Sequence, residues 1–264
     1  MSRITVTTLR KMKQDGEKIA CLTVYDASFT RILEEAGVEI LLVGDSLGNV
    51  IQGQDSTLPV TLGDMVYHSK IVSGVSQKAL VMADMPFMTY ATPKQAVFSA
   101  GRLLKEGGAH IVKLEGGAVM VETVRELVSH GIPVCAHLGL LPQSVNKMGG
   151  YKVQGRDEKA AHDMINDARA MEDAGADILL LECVPSTLAA EITAALEIPV
   201  IGIGAGSQCD SQVLVLYDML GITPGKRPRF VKDFLQDNGD IRGAVAAYVK
   251  AVKDGSFPAE EHSF

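Results

Sequence analysis

Acidic residues at the ends of short apolar runs are the side chains of this sequence most able to do chemistry. A buried carboxylate is costly unless a hydrogen bond or an opposite charge pairs with it, so each of these acids needs a partner. Two of them, at positions 26 and 218, are expected only to cap the helix that follows. The six residues are Asp26, Asp45, Asp84, Glu115, Glu182 and Asp218.

The remaining acids become informative as a group if their strands belong to one barrel. The C-terminal ends of barrel strands meet at one mouth, where barrel enzymes keep their active sites. Several carboxylates at one mouth would repel one another unless a cation lay among them. Oxygen ligands favour Mg²⁺ or Mn²⁺, and Mg²⁺ keeps positions open for a substrate with oxygen donors.

Three polar residues lie beside these acids along the chain. Lys113 is two residues before Glu115, so both lie on the same strand face, and a lysine is rarely buried unpaired. We expect it to point towards the carboxylates and a bound anion. His137 lies at the end of the run at 132–139, where a structural and a catalytic role are both open. Ser46 offers a hydroxyl and a backbone N–H to a substrate carboxylate, although alone it is an ordinary turn residue.

Strand-like and helix-like segments alternate along the whole chain. Eight strand candidates begin with the run at 19–26 and end with the run at 212–220, which resembles a short helix almost as well. Helical connections predict parallel strands, and runs that are apolar on both faces predict a sheet covered on both sides. The sequence therefore predicts an α/β fold, a closed (β/α)8 TIM barrel in one domain of residues 1–264, with an extra N-terminal helix at 6–14.

A doubly wound open sheet is the alternative architecture. Its dinucleotide-binding fingerprint needs a third glycine, but the segment GIGAG at 202–206 is followed by Ser207. At two predicted helix starts, residues three apart have the spacing of a capping box, namely Thr61 with Asp64 and Thr92 with Gln95. The open sheet is the weaker interpretation.

Composition excludes several classes of function. The 264 residues are 47% hydrophobic and carry a net charge of −7, which argues against a general nucleic-acid binder. The polar N-terminus lacks a signal-peptide core, and no apolar run reaches the roughly 18 residues of a membrane helix, so we expect a cytoplasmic protein without a membrane partner. Long spacings predict free thiols at all four cysteines: Cys21, Cys135, Cys183 and Cys209.

Six ordered segments together resemble one family. They cover essentially the whole chain and resemble the 3-methyl-2-oxobutanoate hydroxymethyltransferase, or ketopantoate hydroxymethyltransferase, family. The segments are VGDSLGNVIQGQDSTLPVT, ADMPFMTYATP, VKLEGG, HLGLLPQSVNKMGGYKVQGR, LLLECVP and IPVIGIGAG.

The resemblance implies a Mg²⁺-dependent barrel of the phosphoenolpyruvate/pyruvate type. Such an enzyme transfers a one-carbon unit from 5,10-methylenetetrahydrofolate to 3-methyl-2-oxobutanoate. The product is 2-dehydropantoate (ketopantoate), the first committed intermediate of pantothenate biosynthesis. The family is commonly a homodecamer of two pentameric rings.

The same resemblance implies roles for the residues singled out above. Asp45 and Asp84 would hold the metal, with Glu115 in the same cluster, and Glu182 would be the catalytic proton acceptor. The loops 46–60 and 138–156 are natural covers for the mouth, although they could be plain surface loops. The keto acid would be bound by Asp45, Ser46, Asp84, Lys113 and His137.

Two other functions remain open on the sequence. A related Mg²⁺-dependent carbon–carbon lyase or phosphonomutase would need a nucleophile or an acid on a loop, which Cys183 or Cys209 would have to supply. A non-catalytic barrel could bind a metal or a small anion, but it would have no reason to combine Lys113 and Glu182 around the acidic cluster.

Overall fold

The structure, a computed structural model, describes residues 3–225 and 227–264. Eight parallel strands close into a barrel in which each strand pairs with the next along the chain and the eighth pairs with the first. The predicted (β/α)8 barrel is confirmed. The strands are β1 (Ile19–Thr23), β2 (Ile40–Val43), β3 (Leu80–Asp84), β4 (Ile111–Glu115), β5 (Val134–Gly139), β6 (Ile178–Glu182), β7 (Val200–Ile203) and β8 (Ser211–Leu214).

Helices lie before, between and after these strands. The N-terminal helix has the predicted bounds. The helices are α1 (Val6–Gln14), α2 (Ala27–Ala36), α3 (Leu47–Val50), α4 (Leu62–Val75), α5 (Pro93–Lys105), α6 (Val121–Ser129), α7 (Val145–Met148), α8 (Glu158–Asp173), α9 (Ser186–Ala195), α10 (Leu216–Met219), α11 (Leu235–Asn238) and α12 (Ile241–Lys253).

Local side-chain caps fix where several helices begin. Asp26 accepts hydrogen bonds from two backbone N–H groups of α2, which confirms its expected role as a cap. The capping box between Thr61 and Asp64 is also present. Thr92 caps α5, but the Gln95 amide donates to the Met88 carbonyl instead of closing a box.

The last strand candidate divides into two elements. Residues 211–214 pair with their neighbours as β8, and the chain then turns into the short helix α10 after Val215. Asp218 lies inside α10, so the expectation that it caps a helix is wrong. It lines the cavity at the barrel mouth, and burial raises the pKa of its carboxyl.

The apolar core has two layers, one inside the barrel and one between the strands and the helices. Every strand residue of β1 to β4 is buried, as expected of strands covered on both faces. Leu9 of α1 belongs to the interior layer, so the N-terminal helix packs against the barrel interior. Across the described residues, no helix combines the length and apolarity that crossing a membrane requires.

Candidate active site

Strand register brings the acids predicted at strand ends to one mouth of the barrel. Asp84, Glu115 and Glu182 are the last residues of β3, β4 and β6. Asp45 follows β2 after a single glycine. Asp84 is aligned with Lys113 on the neighbouring strand, and Glu115 with His137. The structure therefore gathers these side chains around one opening.

Asp84 bonds both to Lys113 and to the backbone of Asp45. The Lys113 ammonium donates a hydrogen bond to Asp84 Oδ1 at 2.7 Å, and the Asp45 backbone N–H donates to Asp84 Oδ2 at 3.0 Å. Burial lowers the pKa of Lys113, but the charges of Asp84, Glu115 and Asp45 outweigh it and raise that pKa overall. Lys113 is thus a charged group at the mouth, on the face that strand alternation predicts.

Ser46 is oriented by a buried tyrosine. Its hydroxyl lies 2.8 Å from the Tyr25 hydroxyl, which donates to Thr23 Oγ1 at 3.0 Å. Gly44 makes this position possible, because a Cβ there would lie only 2.8 Å from Ser46 Oγ. The glycine between β2 and Asp45 therefore allows the Ser46 hydroxyl to approach the backbone beside the Asp84 carboxylate.

Gln143 is a buried site residue that the sequence analysis missed. Its side-chain amide donates to Asp45 Oδ2 at 2.8 Å and to the Met85 carbonyl at 2.9 Å. Its backbone N–H donates to Glu115 Oε2 at 3.0 Å, and the Tyr90 hydroxyl donates to its amide oxygen. Gln143 lies in a 3₁₀ turn within the loop 138–156, where no periodic pattern marks it.

His137 lies between two carboxylates. Its Nδ1 is 3.6 Å from Glu115 Oε1, and its Nε2 is 3.4 Å from Glu182 Oε2. Burial and the Lys113 charge lower the pKa of His137, but the two glutamates outweigh both and raise it. Both ring nitrogens and Glu115 Oε1 are buried without a hydrogen-bond partner among the described residues. These unpaired polar atoms indicate a place where a ligand completes the hydrogen bonding.

The carboxylates suit a divalent cation by their chemistry, although they are not a complete protein cage. Within the described ranges, no three or more His, Cys, Asp or Glu side chains form a ready metal site. Mg²⁺ does not need one, since it is held by one or two carboxylates together with waters and substrate oxygens. Burial raises the pKa of Asp45, and the negative charge of Asp84 raises it further. A cation held by these carboxylates would relieve the repulsion between them.

A cavity of about 880 Å³ opens above these residues. Its floor contains the carboxylates, Lys113 and His137, and the side chain of Glu182 also faces it. The loop 138–156 contributes Leu140, Pro142 and Tyr151 to the wall. Another part of the wall is formed by residues that follow β8, among them Val215 and Asp218.

The cysteines do not supply a nucleophile to this cavity. All four are free and buried, as predicted. Burial raises the pKa of Cys183 to about 12 and that of Cys209 to about 11, so little thiolate is present near pH 7. The lyase interpretation needs a nucleophile or an acid from one of these two thiols, and burial disfavours the thiolate that a nucleophile requires.

Comparison with known proteins identifies the class first. The barrel, with its polar residues at the C-terminal mouth, is similar to a solved structure of 2,3-dimethylmalate lyase, a PEP mutase/isocitrate lyase superfamily member. The TM-score is 0.62 at 19% identity, over 96% of this chain and 98% of that one. The protein is thus a TIM barrel with the fold of that superfamily.

Sequence relatives then identify the family. The 3-methyl-2-oxobutanoate hydroxymethyltransferase of Nitrosococcus oceani is 60% identical over 264 residues, 100% of both chains. That of Marinobacter nauticus is 59% identical over 261 residues, 99% of this chain and 98% of its own. The model of the ketopantoate hydroxymethyltransferase family matches residues 3–260. The chain belongs to the ketopantoate hydroxymethyltransferase family, an enzyme family, as the resemblance implies.

Proposed function

We propose that this protein transfers a hydroxymethyl group from 5,10-methylenetetrahydrofolate to 3-methyl-2-oxobutanoate and gives 2-dehydropantoate, in pantothenate biosynthesis. Family membership supports the reaction. The observation that carries the mechanism is the buried arrangement of acids, Lys113 and His137 around one cavity. This arrangement places a positive charge for an anionic substrate next to carboxylates that can accept a proton.

Glu182 is the proposed base. Its carboxylate faces the cavity on β6, across the mouth from Asp45 and Asp84 on the β2 and β3 side. It would remove the hydrogen from C3 of the keto acid, and His137 beside it would hold the glutamate in place through the 3.4 Å contact. The enolate that results has a nucleophilic C3.

The Lys113 ammonium and the Ser46 hydroxyl, together with the nearby backbone, are proposed to hold the keto acid. Lys113 would offset the substrate's negative charge, and its bond to Asp84 fixes its position. Ser46 would present its hydroxyl in the orientation that Tyr25 sets. Asp45, Asp84 and His137 would complete the substrate contacts from neighbouring strand ends.

Mg²⁺ is the proposed cofactor, held by Asp45 and Asp84 with Glu115 in the same cluster. When bound, it would stabilise negative charge on the oxygen of the enolate. Gln143 would hold the Asp45 carboxylate in a fixed orientation through its 2.8 Å hydrogen bond. The unpaired Glu115 Oε1 would contribute to the cluster directly or through water.

The transfer itself joins the two substrates. In the balanced reaction, the C3–H bond breaks and a carbon–carbon bond forms between C3 and the methylene carbon. That carbon leaves both folate nitrogens, which gives tetrahydrofolate, and water supplies the hydroxyl group of the product. The loops 46–60 and 138–156 are proposed to exclude other water from the mouth, and each contains short helical turns that pack near it.

Residues 1–264 are proposed to be one barrel domain that acts in the cytoplasm and assembles into a homodecamer. Large apolar side chains on the outside of neighbouring helices α4 and α5 support an oligomer, namely Tyr67 and Phe98, which are 64% and 67% exposed.

The proposed reaction is tested with the donor labelled with ¹³C at its methylene carbon. Purified protein, 3-methyl-2-oxobutanoate and Mg²⁺ should yield 2-dehydropantoate with the label in its hydroxymethyl group, followed by NMR. Unlabelled product, or none, would contradict the proposal.

A further inference from the structure

One wall of the cavity lies away from the residues that the keto acid would use. A cavity of about 880 Å³ is in the range that takes a drug-sized ligand. A small five-carbon keto acid at the floor leaves much of this volume free. The free part is bounded by residues that follow β8, among them Arg229, Phe230 and Phe264. These three residues form the rim subsite.

Two aromatic rings of the rim subsite lie directly on the end of β7. A Cβ at Gly204 would lie 3.0 Å from Phe230 Cδ1 and 3.1 Å from Phe264 Cε2. Gly204 also has a φ of +59°, which favours glycine. Since Ile203 pairs with Glu182, the rings lie beside the strand that carries the proposed base. The wall therefore presents aromatic surface close to the reacting end of the cavity.

Arg229 adds a positive charge above this aromatic surface. Its guanidinium carbon lies 5.6 Å from the centre of the Phe264 ring, and its Nε donates to the Glu261 carbonyl at 3.0 Å. Among residues 3–225 and 227–264, no carboxylate lies within ion-pairing distance of Arg229, whereas Arg227 is paired with Asp233 at 3.0 Å. The remaining donors of Arg229 are thus available for an anion.

The tail of the chain holds this arrangement in place. The Ser186 backbone N–H, at the start of α9, donates to the Phe264 carbonyl at 2.8 Å. Stacking on Phe264 and the bond to Glu261 restrain the Arg229 side chain in turn. A restrained guanidinium loses less conformational freedom when it binds a carboxylate.

We propose that the rim subsite binds the one-carbon donor, with its aromatic rings against Phe230 and its glutamate carboxylate at Arg229. This inference rests on the proposed function and deepens it. Phe230 would stack on a ring, and Arg229 would form charge-assisted hydrogen bonds with a carboxylate. The acidic floor and the net charge of −7 repel an anionic tail, so a cation at the rim directs that tail away from the floor.

The test compares two donors in the variant Arg229→Ala. The KM for 5,10-methylenetetrahydrofolate should rise about tenfold, the size of one charge-assisted contact. The KM for the amide of 5,10-methylenetetrahydropteroate, which lacks the glutamate and carries no carboxylate, should be the same in variant and wild type. Exchange of the keto acid's C3 hydrogen for deuterium needs no folate, and it reports separately on the keto-acid half of the site.

The control is Arg125→Ala, which removes an exposed arginine of α6 that does not line the cavity and should change neither KM. An unchanged folate KM in Arg229→Ala, or equal rises for both donors, would overturn the rim subsite. Loss of exchange in that variant would also overturn it, because Arg229 would then serve the keto acid. Absence of exchange in the wild type would instead overturn the proposed function, and the donor assignment with it.

Discussion

Glu182 has different surroundings from the other acidic side chains at the mouth. Its side chain is 15% exposed, against 4% for Asp84 and 2% for Glu115. Its one basic partner within 4 Å in the described structure is His137, whereas Asp84 is held by Lys113. Glu182 therefore reaches the cavity without an ion pair to a lysine or arginine among the described residues, which leaves its carboxylate free to contact a substrate proton.

Replacement of this glutamate separates proton transfer from metal binding. In Glu182→Gln, we expect deuterium exchange at C3 of the keto acid to slow by about 100-fold or more, the typical contribution of a positioned base. Mg²⁺ affinity, measured by calorimetry, should stay at the wild-type value. A collapse of Mg²⁺ affinity would mean that Glu182 is a metal ligand and not the base.

At the scale of elements, Gln143 connects the loop 138–156 to the ends of three strands. The Gln143 side chain bonds to Asp45 after β2 and to Met85 after β3, and its backbone N–H bonds to Glu115 at the end of β4. The loop and the carboxylates therefore share one hydrogen-bond network. Release of the loop is expected to free Asp45 at the same time.

The variant Gln143→Ala should weaken Mg²⁺ binding and loosen the loop together. We expect about tenfold lower Mg²⁺ affinity, since groups that orient a metal ligand typically contribute this much. Hydrogen exchange of the backbone amides at 138–156 should become faster. Gln154→Ala is the matched control, because Gln154 lies in the same loop but, among residues 3–225 and 227–264, its side chain bonds only to the Lys152 carbonyl. Equal effects of both variants would argue against the network.

The contrast between Glu115 and Gln143 shows what the sequence could predict. Glu115 ends an apolar run, and strand alternation with Lys113 fixes which face both residues occupy, so the barrel and its acidic mouth follow from local pattern. Gln143 lies in an irregular segment, and its position depends on where the folded loop meets β2 and β4. Asp218 was mistaken for a cap because the short turn from β8 into α10 has no periodicity to mark it.

At the scale of the whole molecule, the outer helices carry apolar side chains that a monomer would leave in water. Phe98 on α5 is the clearest of them, with Tyr67 on the neighbouring helix α4. Ile222 is also exposed but lies after β8, on a different part of the barrel. The helices α4 and α5 are therefore the proposed contact between subunits.

A charge on α5 should disrupt the assembly. Wild-type protein should sediment as a decamer, and Phe98→Glu should shift it to smaller species, since a charge buried in an interface has no partner. Ile222→Glu should leave the sedimentation unchanged. A monomeric wild type, or a decameric Phe98→Glu variant, would contradict an interface on these helices.

The mouth of this barrel is proposed to enolise a keto acid with the help of a divalent cation. The most direct test of this proposal is the exchange of the C3 hydrogen of 3-methyl-2-oxobutanoate in D₂O, followed by NMR without folate. We predict exchange with Mg²⁺ that stops when EDTA removes the metal and resumes when Mg²⁺ is restored. No exchange, or exchange that EDTA does not affect, would contradict the mechanism.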